Sequence, residues 1–308
     1  MQIHYSPDEF SAQRPVVTIG TFDGVHLGHQ KVIDKMKEIS AHCKGDTVLL
    51  SFSPHPRLVL GHAEGLKLLT TAHEKELILS RTGIDHYVVF PFTESFSKMN
   101  YLDFVKSFLV DKMNICTLVI GYDHRFGHKR EGNYELLLES AKKYNFNLER
   151  LEALNVDQIE VSSTKIRHAL ENGEISMANR SLGYSYMLTG QVVTGRQLGN
   201  KIGFPTANIR PPDAYKLIPG NGVYVVRVRH NNIVYKGMMN IGTRPTVNQN
   251  TEDKTMEVHI LDFNDIIYGE DLQIEFIDRL RGEVKFSSLE ELKKQLIADR
   301  EAVKNTEF

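Results

Sequence analysis

Two histidines three residues apart, His26 and His29, stand in the run GTFDGVHLGHQ (20–30), directly after the apolar stretch VVTI. Such a pair could ligate a metal, move a proton, contact phosphate, or do no more than dress a helix entrance. Metal ligation fits poorly, because no third His, Cys or carboxylate stands at a supporting local spacing. Phosphate contact fits better: imidazole donates a hydrogen bond when neutral and adds charge when protonated. Gly20, Gly24 and Gly28 let the backbone turn sharply and approach a ligand. A helix starting near Leu27 would turn its free N–H groups and dipole toward an anion. The alternative is that both histidines are polar residues of the helix cap.

A second group follows in VSSTKIRHALENG (161–173), with Ser162, Ser163 and Thr164 at a helix entrance and Lys165 and Arg167 in its first turn. Cations there oppose the helix dipole unless an anion is bound. Hydroxyls with two cations read as a polyphosphate clamp, or else as a capped helix carrying surface basics. A third group is TGRQLGNKIGFPTANI (194–209), where Gly195, Gly199 and Gly203 recur every fourth residue. It is no Walker A loop, yet glycines so spaced can bring backbone N–H groups to phosphate. Thr206 and Asn208 lie two apart, on one side of an extended segment, and offer neutral oxygens to a hard cation such as Mg2+ shared with nucleotide phosphates. The alternative is a glycine-rich turn and an edge strand.

These groups need elements to hold them. In the first half, VVTIG (16–20), TVLLSFS (47–53), HYVVFPF (86–92) and TLVIGYD (117–123) read as buried strands. Between the first two, Val32, Met36, Ile39 and Cys43 repeat at helical spacing, as do the apolar residues of 101–113 and 134–144. Apolar strands alternating with amphipathic helices predict a doubly wound parallel sheet, whose ligands bind beyond the carboxyl ends of its strands. GTFDGVHLGH lies there. After about residue 183, GVYVVRVRH (222–230), IVYKGMMNIG (233–242), TMEVHILDF (255–263) and DLQIEFIDRL (271–280) predict a small antiparallel barrel or sandwich, with Asn231-Asn232 as a hairpin turn. A terminal helix opens with Ser287 and Glu290 in capping-box spacing. The expected division is 1–183 and 184–308.

The 308 residues are 41% hydrophobic and 25% charged, with a formal net charge of −2. No block of charge suggests nucleic acid or a membrane surface as partner. No leader pattern and no apolar run of membrane-spanning length is present, and Cys43 and Cys116 read as buried thiols. A cytoplasmic protein is expected. Nothing in the composition argues for or against oligomerisation.

HLGH between strand and helix, paired with a distant SSTKIR, resembles the nucleotidyltransferases of the HxGH superfamily. The fuller GTFDGVHLGHQ, SFSPHP (51–56), GYDHRFGHKREGN (121–133) and VSSTKIRHAL resemble the adenylyltransferase module of bacterial bifunctional riboflavin kinase/FAD synthetases. GFPTANI, GVYVV, NIGTRPTV (241–247), EVHILDF and RLRGEVKF (279–286) resemble their kinase module, in family order. The resemblance implies an enzyme that phosphorylates riboflavin to FMN and transfers AMP from ATP to FMN, giving FAD and pyrophosphate. It implies ATP as co-substrate with Mg2+, and flavins as substrates and products. In its terms His26 and His29 contact ATP phosphates, and Gly20, Phe22, Asp23, Gly24 and Gly28 form the nucleotide loop. Ser163, Thr164 and Arg167 clamp the leaving end. Asp123 and Phe126 belong to the flavin pocket, and Arg281 to a flap over flavin or nucleotide. Gly195, Gly199, Gly203 and Pro205 cradle the kinase's ATP, Thr206 and Asn208 hold the metal, and Glu257 is the general base. By itself Glu257 would read as a solvent-facing strand residue. The chain departs from the family at His124, where an aromatic residue is usual. A kinase with a silent adenylyltransferase, or a flavin-responsive regulatory protein, are the rival readings.

Overall fold

The computed structural model describes residues 1–6, 10–122, 132–152, 154–156, 159–195, 199, 202–244 and 253–307. Asp123, His124 and Phe126 lie outside the described residues. By packing, the chain divides into two compact units, Met1–Leu66 with Lys75–Ser162, and Lys67–Glu74 with Ser163–Phe308.

In the first unit, β1 (Gln2–His4), β2 (Val16–Ile19), β3 (Thr47–Ser53), β4 (His86–Pro91), β5 (Thr117–Gly121) and β6 (Asn147–Leu151) form one sheet in the order β1-β4-β3-β2-β5-β6. All its neighbours pair in parallel. The four central strands are the apolar runs of the sequence. The two edge strands escaped sequence reading because they are only partly buried and carry no apolar run. Alternation along β2 sends Val17 to one face, with Leu50, Val88, Phe108 and Leu137. It sends Val16 to the other, with Val32 and Met36 of the helix Leu27–Cys43. Helical residues thus cover both faces, as the doubly wound reading requires. The stretch expected as one α-helix over 101–113 is instead one turn, Tyr101–Asp103, followed by a π-helix, Phe104–Lys112. The wider winding keeps Phe104, Val105, Phe108 and Leu109 all buried. A two-stranded ladder, β7 (Asn155–Val156) and β8 (Ile159–Glu160), follows.

The second unit is a closed barrel of β9 (Met187–Val193), β10 (Ala207–Arg210), β11 (Gly222–His230), β12 (Ile233–Arg244), β13 (Asp253–Ile260) and β14 (Asp271–Arg281). Its order is β10-β13-β12-β11-β14-β9, antiparallel throughout. In the closed order every strand pairs with a neighbour on each side. Asn231 and Asn232 both have positive φ, 47° and 65°, as a two-residue type I′ hairpin demands. Two short helices, Ser163–Glu171 and Ile175–Leu182, belong by packing to this unit. Asn179 donates to the Phe276 carbonyl (2.9 Å) and accepts from the Tyr186 N–H (2.8 Å), while Ile175, Ala178 and Leu182 are buried. By packing these two helices go with the barrel, so the compact units meet at 162/163. The terminal helix runs Leu289–Asn305. Its cap is Ser288, which accepts from the Glu291 N–H (3.2 Å), one residue later than the spacing suggested. The Glu291 carboxylate turns back to the Ser287 N–H and hydroxyl.

Candidate active sites

In the first unit the loop after β2 is built around its own strain. Phe22 and Val25 have φ of 47° and 35°, a conformation costly for any side chain and most so for a β-branched one. Gly24, at φ 82°, takes the same region without cost. The loop is held by Gly20 N–H to the Leu50 carbonyl (3.0 Å), Val25 N–H to the Phe22 carbonyl (3.2 Å) and the Gln30 amide to the Val25 carbonyl (2.9 Å). Ser51 and Lys75 both donate to the Thr21 carbonyl, Lys75 at 2.6 Å. Asp23 is buried.

His26 is the N-cap of the first helix, and its Nδ1 accepts from the His29 N–H at 3.4 Å. The two imidazoles stack, with centroids 3.7 Å apart and planes 14° apart, and the Phe22 ring lies 4.6 Å from His29. Gly28 allows this, since a Cβ there would lie 3.2 Å from the His26 ring. The helix-cap alternative for His26 thus describes its geometry, and capping through Nδ1 does not by itself exclude phosphate contact. Burial, then the neighbouring His26 and Lys75, hold His29 well below its ordinary pKa, so its ring is neutral at pH 7. Its Nδ1 is buried and has no hydrogen-bond partner among the described residues. Lys75 is the residue sequence reasoning missed. Its pKa is lowered by burial and supported by Asp23, and its charge sits close enough to His29 to affect it. No motif contains it; only the fold brings the helix bearing it to this loop.

The SSTKIR group starts the helix Ser163–Glu171 in the second unit. Ser163 is half-buried, Thr164 exposed, and Arg167 Nε donates to the Lys67 carbonyl at 2.7 Å.

In the barrel, register does what sequence spacing could not. Asn208 on β10 lies opposite Glu257 on β13, and Glu257 lies opposite Asn240 on β12. Thr206, just before β10, brings its hydroxyl 3.4 Å from Glu257 Oε2. A Cβ on Gly195 would run into the Asn208 amide, so glycine there lets that side chain lie against the backbone. Gly199 accepts the Phe204 N–H on its carbonyl (2.9 Å), and Gly203 takes φ 82°. A cavity of about 440 Å3 is lined by Glu257, Thr206 and Asn240 together with the apolar Phe204, Met238, Phe286 and Leu292. A second, of about 210 Å3, is lined by Pro205, Thr206, Phe263, Ile266 and Tyr268. Thr206 belongs to both. Asn208 instead lines a third cavity of about 860 Å3, with Arg210 and Lys254.

Arg281 lines the first cavity, but its guanidinium is engaged by Asp299 of the terminal helix through contacts of 2.7 and 3.1 Å. Asp299 also accepts from Gln295 (2.8 Å). The arginine thus fastens that helix to the end of β14. A hydroxyl and an amide carbonyl are hard oxygen donors, so Thr206 and Asn208 suit Mg2+ better than a thiophilic metal. Among the described residues no group of three His, Cys, Asp or Glu could hold a metal unaided.

A family model described as FAD synthetase matches residues 9–165, and one described as riboflavin kinase matches 182–306. A protein of Buchnera aphidicola subsp. Schizaphis graminum, named bifunctional riboflavin kinase/FMN adenylyltransferase, is 38% identical over 291 residues, 94% of this chain and 92% of the relative. One of the same name from Listeria monocytogenes is 38% identical over 295 residues, 96% and 93% of the two chains. A crystal structure from Streptococcus pneumoniae, described as a macrolide-efflux protein, superposes with a TM-score of 0.89 at 28% identity over 99% of both chains. Among the described residues of the present chain, no helix is long and apolar enough to cross a membrane. With both family models matched in order and relatives alike from end to end, the chain belongs to the bifunctional riboflavin kinase/FMN adenylyltransferase family.

Proposed function

We propose that the chain phosphorylates riboflavin to FMN in its C-terminal module (184–308) and adenylylates FMN to FAD in its N-terminal module (1–183), each with ATP. The observation that carries the kinase half is Glu257 beside Thr206, in register with Asn208, on the wall of a largely apolar cavity. The apolar side chains of its lining suit the isoalloxazine ring, and Glu257 meets the ribityl chain, where it accepts the proton of the attacking hydroxyl. The smaller cavity across Thr206 suits the adenine base of ATP. Gly195, Gly199, Gly203 and Pro205 line the backbone path for its phosphates. Thr206 and Asn208 would hold Mg2+, which when bound offsets the charge of the transferring phosphoryl group. Arg281 acts on flavin through the helix it fastens.

For adenylyl transfer, the strained loop with Gly20, Phe22, Asp23, Gly24 and Gly28 aims the helix N-terminus at the ATP phosphates. The FMN phosphate oxygen attacks the α-phosphorus, and the bond to pyrophosphate breaks on the far side. His29, held neutral with its Nδ1 unpartnered among the described residues, and His26 contact the phosphates, and Lys75 supplies the positive charge. None of these needs to change protonation state. Ser163, Thr164 and Arg167 serve the leaving pyrophosphate, and Asp123 and Phe126 the flavin. Two free, half-buried cysteines suit a cytoplasmic setting.

Incubation with riboflavin, ATP and Mg2+ should yield FAD, with FMN rising first and then falling. FMN that accumulates with no FAD would sink the adenylyltransferase half, and no FMN at all would sink the kinase half.

A further inference from the structure

His259 lies two residues beyond Glu257 on β13, so both side chains leave the same face of that strand. The β10–β13 ladder pairs Asn208 with Glu257 and Ala207 with Val258, and then stops. One step further along the same register stand Thr206 and His259. There a side chain takes over from the backbone ladder: His259 Nδ1 lies 2.7 Å from the Pro205 carbonyl oxygen. A carbonyl only accepts, so Nδ1 is the nitrogen that bears hydrogen. Pro205 has no N–H of its own, which leaves its carbonyl as the backbone group by which this residue can be held.

The imidazole is well placed to act as a fixed post. It is buried, and it stands against the Phe204 ring at 5.3 Å and 61°. The Arg300 guanidinium lies 5.4 Å from that same ring. Burial and Arg300 lower the His259 pKa, against the opposing pull of the Pro205 carbonyl and Asp262, and either protonation state keeps hydrogen on Nδ1. His259 and Thr206 both line the Glu257 cavity.

We propose that His259 is a positioning residue for phosphoryl transfer: its Nδ1–H holds the Pro205 carbonyl and so keeps the Thr206 hydroxyl beside Glu257 where the strand ladder has ended. This rests on the kinase reading above. It separates His259 from the reacting atoms and makes its effect depend on where the donor sits, not on imidazole chemistry.

Replacement by Asn keeps a donor near the place of Nδ1, whereas Gln moves it toward the place of Nε2 and Ala removes it. The experiment compares His259→Asn, His259→Gln and His259→Ala in the full-length protein. Three readouts are taken: kcat and KM for MgATP with riboflavin, calorimetric binding of MgADP, and FAD formation from supplied FMN. The Gln and Ala variants should raise the kinase KM for MgATP about tenfold and weaken MgADP to match, as expected for one lost hydrogen bond. The Asn variant should stay within about threefold of the parent, and FAD formation from FMN should be unchanged in all three, which controls for folding. The proposal is overturned if Asn is as impaired as Ala, or if Ala leaves both nucleotide readouts within twofold. Loss of both activities together in all three variants would mean a general structural role and overturn it too. A parent protein that makes no FMN would instead count against the kinase reading itself.

Discussion

Glu257 and His29 show how differently two single residues acquire a role. Glu257 is one polar position in an alternating strand, and only pairing across β10 and β12 sets it among Thr206, Asn208 and Asn240. Glu257→Gln keeps the shape and removes the base, so riboflavin phosphorylation should fall by about 10²- to 10⁴-fold. FAD formation from supplied FMN should not change, and assaying the two substrates separately checks this. His29 is conspicuous in the sequence, but its charge state is not. Its folded pKa is depressed below the ordinary value of 6.5, so the unfolded chain takes up a proton before the folded one does. The associated stability is present above about pH 6.5 and is lost as pH falls below it. His29→Gln should flatten this acid-side loss, as read from denaturant midpoints at neutral and mildly acid pH. Lys75 was illegible in the sequence, being one lysine in a short helix that carries no motif. Its partners, Thr21 and Asp23, lie more than fifty residues away in the chain.

At the scale of elements, the terminal helix closes one side of the Glu257 cavity with Leu289, Leu292 and Leu296. The Ser288 cap at its start, the Arg281–Asp299 pair and the Lys236 ammonium on the Lys304 carbonyl (2.8 Å) help to hold it. Ser288→Ala should cost about 1 kcal/mol, the usual worth of a cap. Asp299→Ala should cost more, because it strips the partner from a largely buried guanidinium. Both should raise KM for riboflavin more than kcat falls, with thermal unfolding and steady-state kinetics as the measurements. The helix itself was plain in the sequence, but its cap was misplaced by one residue. Two adjacent serines and two adjacent glutamates allow either register, and tertiary packing chooses. The π-helix was hidden for a similar reason. Its apolar spacing is that of an ordinary helix, and the demand to bury four residues on one sheet face selects the wider winding.

For the whole molecule, the unexpected feature is a fully buried ion pair in the second unit. Lys216 Nζ contacts Glu74 Oε2 (2.6 Å) and the carbonyls of Leu69 and Met187 (2.7 Å each), over the face of Tyr186 at 4.3 Å. The other Glu74 oxygen accepts the N–H and hydroxyl of Thr189. A segment from the first half of the sequence, Lys67–Glu74, is thereby locked to the barrel. Lys216→Met would leave Glu74 buried without its partner and should cost about 3–5 kcal/mol. Adding Glu74→Leu should recover only part of it, since the uncompensated charge is gone but the carbonyls of Leu69 and Met187 and the Thr189 donors have lost their buried partners. Denaturant unfolding of the single and double variants measures both effects.

By itself the sequence determined the α/β-plus-barrel class, the four central strands, the hairpin at Asn231-Asn232 and the two chemical clusters. Each of these is local: a run of apolar residues, a turn with required backbone angles, a glycine-flanked histidine pair. The tertiary structure decided which unit owns the SSTKIR helix and that Arg281 holds a helix. It also decided that Lys75 joins the histidines and that Glu257 faces Thr206. These depend on residues brought together across long stretches of chain, through strand register and the burial of charge. Spacing along a sequence sets neither.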